Sequence, residues 1–233
     1  MLLFCIPHAG GIAMSYLRWR KELMPEIRLM PIELQGHMTR RNEPLSIQFS
    51  EAVDDIYKTI LNTVGKTGEK YAIFGHSLGC WLAYDVGLKL EKDGEYLPQH
   101  YFLSGRWPPY VKQETSFNFT DDSDKFRKYI ISLGGTDESF LENDELGEYY
   151  FKTICADFKL INSYKVKEIQ SSCLHSNVTV LWGSQDNSIV PSSILQWRKV
   201  AKKQISFCPV EGNHFFPLQN ISQTVRVINS FLG

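Results

Sequence analysis

Short apolar runs alternate with longer segments of helical periodicity along most of the chain. Six of these runs are candidate strands, and most of the six are almost continuous in hydrophobic residues, which is the pattern of strands buried on both faces of a sheet. They are Leu2–Ile6, Arg28–Leu34, Tyr71–Phe74, Tyr101–Ser104, Val178–Trp182 and Ile205–Pro209. The alternation predicts an α/β fold, in which helices flank both faces of a mostly parallel sheet.

The segments between the runs carry apolar residues at intervals of three and four, as one face of an α-helix does. The first set is Phe49, Val53, Ile56, Ile60 and Val64, and the second is Leu78, Leu82, Val86 and Leu90. The third set, at the end of the sequence, follows the helix-capping residue Asn220 and comprises Ile221, Val225, Ile228 and Leu232. Each set predicts a helix that packs its apolar face on the sheet.

One interval, residues 107–164, breaks the alternation because it contains no convincing strand. It holds two helical patterns, one ended by Gly134 and Gly135 and the other running from Leu146 to Ile161. These segments could be ordinary crossover helices, but the interval is far longer than one crossover needs. We therefore predict a helical cap, or lid, at 107–164, inserted into a single domain whose core comprises residues 1–106 and 165–233.

Composition narrows the class of protein without defining its chemistry. The 233 residues suit one α/β domain, and 25 basic against 26 acidic side chains leave no basic excess for nucleic acid. No run reaches the ~18 apolar residues of a membrane span, and we interpret Met1–Ile6 as a strand rather than a signal sequence. The five scattered cysteines form no CxxC pair or Cys/His cluster that would bind a metal. We expect a reduced, cytoplasmic protein that binds neither nucleic acid nor membrane.

The segment Gly75-His76-Ser77-Leu78-Gly79 matches the nucleophile motif G-x-S-x-G. A chain of this length contains the motif by chance with a probability of roughly 0.05–0.1, so the match alone is weak. Its setting is more specific, because it follows a predicted strand and opens a predicted helix, as the nucleophile elbow of α/β hydrolases does. The alternative is a glycine-rich turn without chemistry. We predict that Ser77 is the nucleophile of a serine hydrolase.

A serine hydroxyl needs a base that removes its proton, and in this type of fold the order along the chain is serine, acid, histidine. His214 lies in the loop between the last strand and the last helix and is the candidate base; a solvated loop histidine is the alternative. Asp186 follows the strand Val178–Trp182 and is the candidate acid, although a turn or helix-cap role would also suit it. Glu211 and Asp157 are weaker candidates for the acid.

The tetrahedral intermediate of acyl transfer needs backbone N–H donors for its oxyanion. Leu78, directly after the nucleophile, is expected to supply one, and Ala9 in the glycine-rich loop after the first strand the other. A structural turn is the alternative for this loop. Further residues are expected to line the substrate channel or its rim, namely His8, Gly10, His37, His76 and Phe215.

With these residues in place, the sequence resembles the type II thioesterases, the stand-alone editing enzymes of nonribosomal peptide and polyketide synthases. The resemblance covers nearly the whole chain and depends on seven segments: Pro7–Gly11, Glu33–His37, Gly75–Gly79, Leu133–Thr136, Ala156–Phe158, Trp182–Asp186 and Gly212–Phe216. The chain departs from the family pattern at Gln35, where proline is usual, and at His37, where arginine is common. Cys155 also replaces an arginine that often precedes Ala-Asp-Phe.

The resemblance implies an α/β-hydrolase fold and hydrolysis of acyl groups from the phosphopantetheine arm of acyl or peptidyl carrier proteins. It implies no cofactor beyond the phosphopantetheine of the substrate, activity on small acyl thioesters, and a monomer. Three alternatives use the same residues or the same fold: a medium- or long-chain fatty acyl thioesterase, a general carboxylesterase, and a non-catalytic binding module. Carrier proteins are usually acidic, so five basic residues are either docking residues or ordinary solvated surface: Arg18, Arg20, Lys21, Arg40 and Arg41.

Overall fold

A six-stranded sheet forms the centre of the computed structural model, which describes residues 1–111, 123–132, 134–135, 144–167 and 173–233. The strands are β1 (Leu2–Ile6), β2 (Arg28–Pro31), β3 (Tyr71–His76), β4 (His100–Ser104), β5 (Asn177–Gly183) and β6 (Ile205–Val210). Their order is β2-β1-β3-β4-β5-β6, and every neighbouring pair is parallel. The predicted α/β class is therefore confirmed.

The second strand is shorter than the sequence pattern predicts. It ends at Pro31 instead of Leu34, although the N–H of Ile32 still donates to the carbonyl of Cys5 at 2.9 Å. Beyond this bond the chain turns away through Gly36, which has a φ of 75°. The apolar residues Ile32 and Leu34 remain buried as part of the core, which explains why the run looked longer than the strand.

The sheet separates two hydrophobic cores, as strands buried on both faces require. Alternate residues of β1 show the division, because Leu2, Phe4 and Ile6 belong to one core and Leu3 and Cys5 to the other. The first core is completed by two long helices, α1 (Phe49–Thr67) and α2 (Leu78–Asp93). The second is completed by the 3₁₀ helix Ala13–Lys21 and the last helix, α5 (Ile221–Leu232).

Helices α1, α2 and α5 contain the three sets of apolar residues that predicted them. Helices α1 and α2 end at Gly68 and Gly94, whose φ angles of 64° and 73° are the left-handed conformation that glycine favours. The side chain of Asn220 caps α5 by accepting from the N–H of Gln223 at 3.3 Å. Shorter helices occupy the loops: Met38–Arg40, Pro191–Ile194, Leu195–Val200 and Phe216–Gln219.

Two further helices lie between β4 and β5, namely α3 (Ser123–Ser132) and α4 (Asp144–Asn162). They share a small hydrophobic cluster that is separate from the two cores, formed by Phe126, Ile130, Phe151 and Ile154. The ends of the motif Leu133–Thr136 lie outside the described residues, as do 112–122, 136–143 and 168–172. The division into a core and a cap at 107–164 therefore stays a prediction.

Within the described ranges, no helix is long and apolar enough to cross a membrane. The same residues contain no group of three or more His, Cys, Asp or Glu side chains that could hold a metal ion. All five cysteines are free thiols, and Cys5, Cys80 and Cys173 are buried. Burial raises the pKa of the Cys5 and Cys80 thiols, so these side chains act as small hydrophobic residues rather than as nucleophiles.

Candidate active site

Ser77 occupies a sharp turn between β3 and α2. Its φ of 55° and ψ of −111° make it the only non-glycine residue of the described chain with a positive φ. The two glycines of the motif permit this turn, because a Cβ on Gly75 would overlap the carbonyl of Gly79, and one on Gly79 would overlap the carbonyl of Ile6. A strained backbone that exposes a serine hydroxyl at this position is typical of a nucleophile elbow.

Three side chains from distant parts of the sequence form a hydrogen-bonded series at this turn. The Nε2 atom of His214 lies 3.1 Å from the Oγ atom of Ser77, and its Nδ1 atom lies 2.6 Å from Oδ2 of Asp186. Each residue follows the carboxyl end of its own strand, β3, β5 or β6, and these ends meet at one edge of a parallel sheet. The structure thus brings together the three residues that the sequence singled out.

Asp186 is held in place by Ser188 as well as by His214. The Oδ1 atom of Asp186 accepts hydrogen bonds from the backbone N–H of Ser188 at 3.0 Å and from its hydroxyl at 2.5 Å. Burial opposes ionisation of this carboxyl, but the bonds from His214 and Ser188 outweigh burial and lower its pKa. The sequence analysis missed Ser188, although a serine two residues after an aspartate is a signal for such a local turn.

The two weaker candidates for the acid lie elsewhere. The carboxylate of Asp157, on α4, binds the N–H of Gly10 and the ring of His37. Glu211 is exposed, and the structure shows its backbone N–H bonded to the side chain of Gln223. Asp186 is therefore the acid candidate that contacts the imidazole of His214.

The two loops that should supply oxyanion donors are in direct contact. Leu78 begins α2, so its N–H is one of the first-turn donors that have no partner inside the helix. Gly79, in the same turn, packs so closely that a Cβ there would overlap the carbonyls of Ile6 and Pro7. The loop Pro7–Gly11 therefore lies against the helix N-terminus, and Ala9 within this loop is half-buried.

The remaining residues predicted for the channel have different surroundings. His8 and Phe215 pack edge to face with ring centroids 5.1 Å apart. His37 is 1% exposed. His76 is fully buried, with Nδ1 3.0 Å from the hydroxyl of Ser104, so it lies inside the protein and not at a rim. Burial and the nearby His214 lower the pKa of His8 to about 3, and they also lower the pKa of His76. Both rings are therefore neutral near pH 7.

A half-open cavity of about 510 Å³ lies between the loop after β1 and helix α4. His8, Gly10, Gly11 and His37 are part of its wall. Most of the other lining side chains are apolar or aromatic, including Ile12, Met38, Leu146, Tyr149, Tyr150 and Leu218. Met38 and Leu146 are exposed, at 41% and 50%. The cavity has the size and the apolar walls of a site for a small organic group.

The basic residues considered for docking differ in whether their charge is already paired with a carboxylate. The guanidinium of Arg40 is engaged by two carboxylates, at 2.5 Å from Glu43 and 2.6 Å from Asp55. Its pKa is raised by these bonds, and a substitution there would leave both acids without their partner. The guanidinium of Arg40 is therefore already paired, whereas Arg18, Arg20, Lys21 and Arg41 are exposed.

Comparison with known proteins extends over nearly the whole chain. The family described as thioesterase domain matches residues 2–232. The gramicidin S biosynthesis protein GrsT of Aneurinibacillus migulanus is 29% identical over 92% of this chain and 82% of that protein. Thioesterase PikA5 of Streptomyces venezuelae is also 29% identical, over 92% of this chain and 74% of that protein. ClbQ, from the colibactin NRPS/PKS pathway, has a crystal structure with a TM-score of 0.91 at 30% identity, covering 99% of this chain and 96% of that chain.

Proposed function

The chain belongs to the thioesterase domain family and is a thioester hydrolase, and from this premise we propose that it is a type II editing thioesterase. In this role it removes acyl groups from the phosphopantetheine thiols of carrier proteins in nonribosomal peptide or polyketide synthesis. The likeness to ClbQ over 99% of the chain supports the choice of pathway. The observation that carries the chemistry is the hydrogen-bonded series Ser77–His214–Asp186 at the elbow.

The proposed reaction has two halves that use the same histidine. His214 Nε2 takes the proton of Ser77 as Oγ attacks the thioester carbonyl, while Asp186 stabilises the imidazolium that forms. The N–H groups of Leu78 and Ala9 bind the oxyanion. The C–S bond then breaks and the His214 imidazolium gives its proton to the departing thiolate, a good leaving group because the pKa of such a thiol is about 8.5. Water next gives a proton to the neutral His214 and attacks the acyl-serine, and this proton returns to Oγ of Ser77 as the free acid leaves.

This chemistry is complete without a metal or another cofactor. The phosphopantetheine arrives as part of the substrate, and the acyl group or the arm would occupy the cavity between α4 and the loop after β1. We propose that residues 107–164, which include α3 and α4, act as the cap over this cavity. The hydrophobic cluster that α3 shares with α4 supports the proposal, because it lies apart from the two main cores. Leu160, near the end of α4, joins this unit to the first core.

A direct comparison of substrates tests the proposal. Hydrolysis should be measured for acetyl, aminoacyl and long-chain acyl groups, each on a carrier protein and on free coenzyme A. We expect higher kcat/KM on the carrier than on coenzyme A for the short acyl groups. A strong preference for medium or long chains on either thiol would instead indicate a fatty acyl thioesterase.

Oxygen esters of the same acids provide the second comparison. If the enzyme hydrolysed them as fast as the thioesters, it would be a general carboxylesterase. The Ser77→Ala variant serves as the blank in every assay, because it keeps the cavity but lacks the nucleophile. Turnover that survived in this variant would contradict the assigned chemistry.

A further inference from the structure

A closed network of hydrogen bonds joins the proposed oxyanion loop to two residues outside the triad. The N–H of Gly10 donates to Oδ2 of Asp157 at 2.7 Å, and Oδ1 of Asp157 lies 3.2 Å from Nε2 of His37. The Nδ1 atom of His37 lies 3.1 Å from the carbonyl oxygen of Gly11. A turn within the loop, from the N–H of Gly11 to the carbonyl of His8 at 2.8 Å, completes the network.

The network connects three parts of the fold that are far apart in sequence. Gly10 and Gly11 follow β1, His37 follows β2, and Asp157 lies on helix α4. His37 is 1% exposed and Asp157 is 3% exposed, so water does not compete for their hydrogen bonds. Helix α4 also packs directly on the loop, because a Cβ on Gly10 would overlap the side chain of Ile154.

The geometry requires a particular protonation state of His37. Both ring nitrogens face acceptor oxygens, and a neutral imidazole has only one N–H, so both bonds exist only in the imidazolium. Burial lowers the pKa of His37, but the carboxylate of Asp157, the Gly11 carbonyl and the more distant Glu33 raise it, and the net shift is upward. The imidazolium and the Asp157 carboxylate thus form a buried ion pair.

His8, Tyr149 and Glu33 are the other titratable groups that lie around His37 in the described residues. His8, in the same loop, is neutral because burial lowers its pKa to about 3. Tyr149 of α4 donates to the carbonyl of Gly36, and burial raises the pKa of its phenol. Glu33 accepts from the N–H of Ala13 at 3.0 Å and from the hydroxyl of Thr39 at 3.2 Å.

We propose that His37 and Asp157 are positioning residues for the oxyanion hole: they fix the backbone of Gly10 and Gly11 and thereby aim the N–H of Ala9 at the oxyanion. This inference rests on the proposed function, which assigns that donor role to Ala9. Because Asp157 belongs to α4, the hole has its full geometry only while α4 is seated on the loop. The pair touches neither the nucleophile nor the base.

The Asp157→Ala variant, which leaves the N–H of Gly10 and the Nε2 atom of His37 without their acceptor, tests the proposal on a small acyl thioester, such as an N-acetylcysteamine derivative. Removing one oxyanion donor costs about 10²–10³ in kcat, and a misplacement of 1 Å costs about 10². We therefore expect kcat to fall about 10–100-fold with KM changed by less than about threefold. Rates are normalised to the sites that a fluorophosphonate probe labels, so that misfolded protein does not count.

Asp85→Ala is the matched control. Asp85 is also a buried aspartate, and it binds Tyr164 at 3.0 Å and Lys167 at 2.6 Å in the segment after α4. Its loss should lower the melting temperature and leave the normalised kcat within about twofold. If Asp157→Ala likewise lost only stability, the pair would be merely structural and the proposal would be overturned. If Asp157→Ala failed to fold, we would expect the same fall in kcat from His37→Gln, which keeps a donor for the Gly11 carbonyl.

The pH profile of kcat separates positioning from simple packing. Because the folded pKa of His37 is raised, the network is complete at low pH and loses one bond as pH rises through that value. The wild type should therefore lose activity on the alkaline side. This limb should move to lower pH in Asp157→Ala, which lacks the carboxylate that raises the pKa of His37, and disappear in His37→Arg, whose side chain stays protonated. An alkaline limb at the same pH in all three proteins would overturn the proposal.

Failure of this inference can be told apart from failure of the proposed function. If the function is wrong, the wild type does not hydrolyse acyl thioesters, or Ser77→Ala keeps the activity. If only the inference is wrong, the wild type is active and Ser77→Ala is not, while the His37 and Asp157 variants keep the wild-type kcat and pH profile.

Discussion

Replacing Asp186 by asparagine should impair catalysis through the orientation of one amide group. The backbone N–H and the hydroxyl of Ser188 both donate to Oδ1 of Asp186, so the amide oxygen of an asparagine would take this position. Its NH₂ group would then face Nδ1 of His214, which lies 2.6 Å from the carboxylate in the wild type. His214 could bind this donor only through an unprotonated Nδ1.

The consequence for the reaction follows from the tautomer. With Nδ1 unprotonated, the neutral ring carries its proton on Nε2, the atom that lies 3.1 Å from the hydroxyl of Ser77. A protonated Nε2 cannot accept the serine proton, so the base is blocked while the geometry is preserved. The same change in another triad lowers kcat about 10⁴-fold, and we expect a loss of about 10³–10⁴. This loss corresponds to about 4–5 kcal/mol of transition-state stabilisation.

The assay is steady-state hydrolysis of a small acyl thioester at neutral pH, together with circular dichroism to confirm the fold. Glu211→Gln is the matched control, because it neutralises an exposed carboxylate three residues before His214 and should leave kcat within about threefold. If Asp186→Asn kept more than about a tenth of the wild-type kcat, the tautomer argument would be refuted. An inactive Glu211→Gln enzyme beside an active Asp186→Asn enzyme would reassign the acid.

Three further predictions concern the nucleophile, pH and the inserted helices. Ser77→Ala should fold but lose fluorophosphonate labelling, and labelling of this variant at another serine would contradict the assignment. In urea, Ser77→Gly should be about 1 kcal/mol more stable than Ser77→Ala, because glycine relieves the strain of the positive φ. Burial lowers the pKa of His100 to about 4. As pH falls from about 6.5 to about 4, the unfolded chain gains a proton on this histidine that the folded chain lacks. The free energy of unfolding should therefore fall by about 1.4 kcal/mol per pH unit because of His100. Urea titrations of His100→Gln should lack that part of the pH dependence. Backbone amides of Ser123–Ser132 should exchange with deuterium faster than those of Tyr71–His76, and equal protection would mean that α3 belongs to the rigid core.

The sequence predicted those features that depend on local pattern. Each strand largely coincided with an apolar run, and α1, α2 and α5 carried apolar residues at helical spacing, so their positions followed from short stretches of chain. The hydrogen bonding among Ser77, Asp186 and His214 was predictable for a related reason. Each residue directly follows a predicted strand, and parallel strands bring their carboxyl ends to one edge.

Features that depend on the packing between distant segments were not predictable. His37 and Asp157 are 120 positions apart, and no local pattern shows that α4 covers the loop after β1. The two carboxylate partners of Arg40 were likewise hidden, so the residue looked like free surface. His76 lies next to the nucleophile in sequence, yet its ring turns inward to Ser104 because β3 and β4 pair there.

The inserted helices lie in a connection between two neighbouring strands, and this has a consequence for how such enzymes diverge. The interval from Ser104 to Asn177 joins two neighbouring strands, so its length can change without moving the strand ends that carry Ser77, Asp186 and His214. Recombination between relatives could therefore replace the whole interval and change the accepted acyl group while the reaction is inherited intact. Asp157 limits this freedom, because a replacement segment without an acid at that position would leave the N–H of Gly10 and the Nε2 atom of His37 without their acceptor.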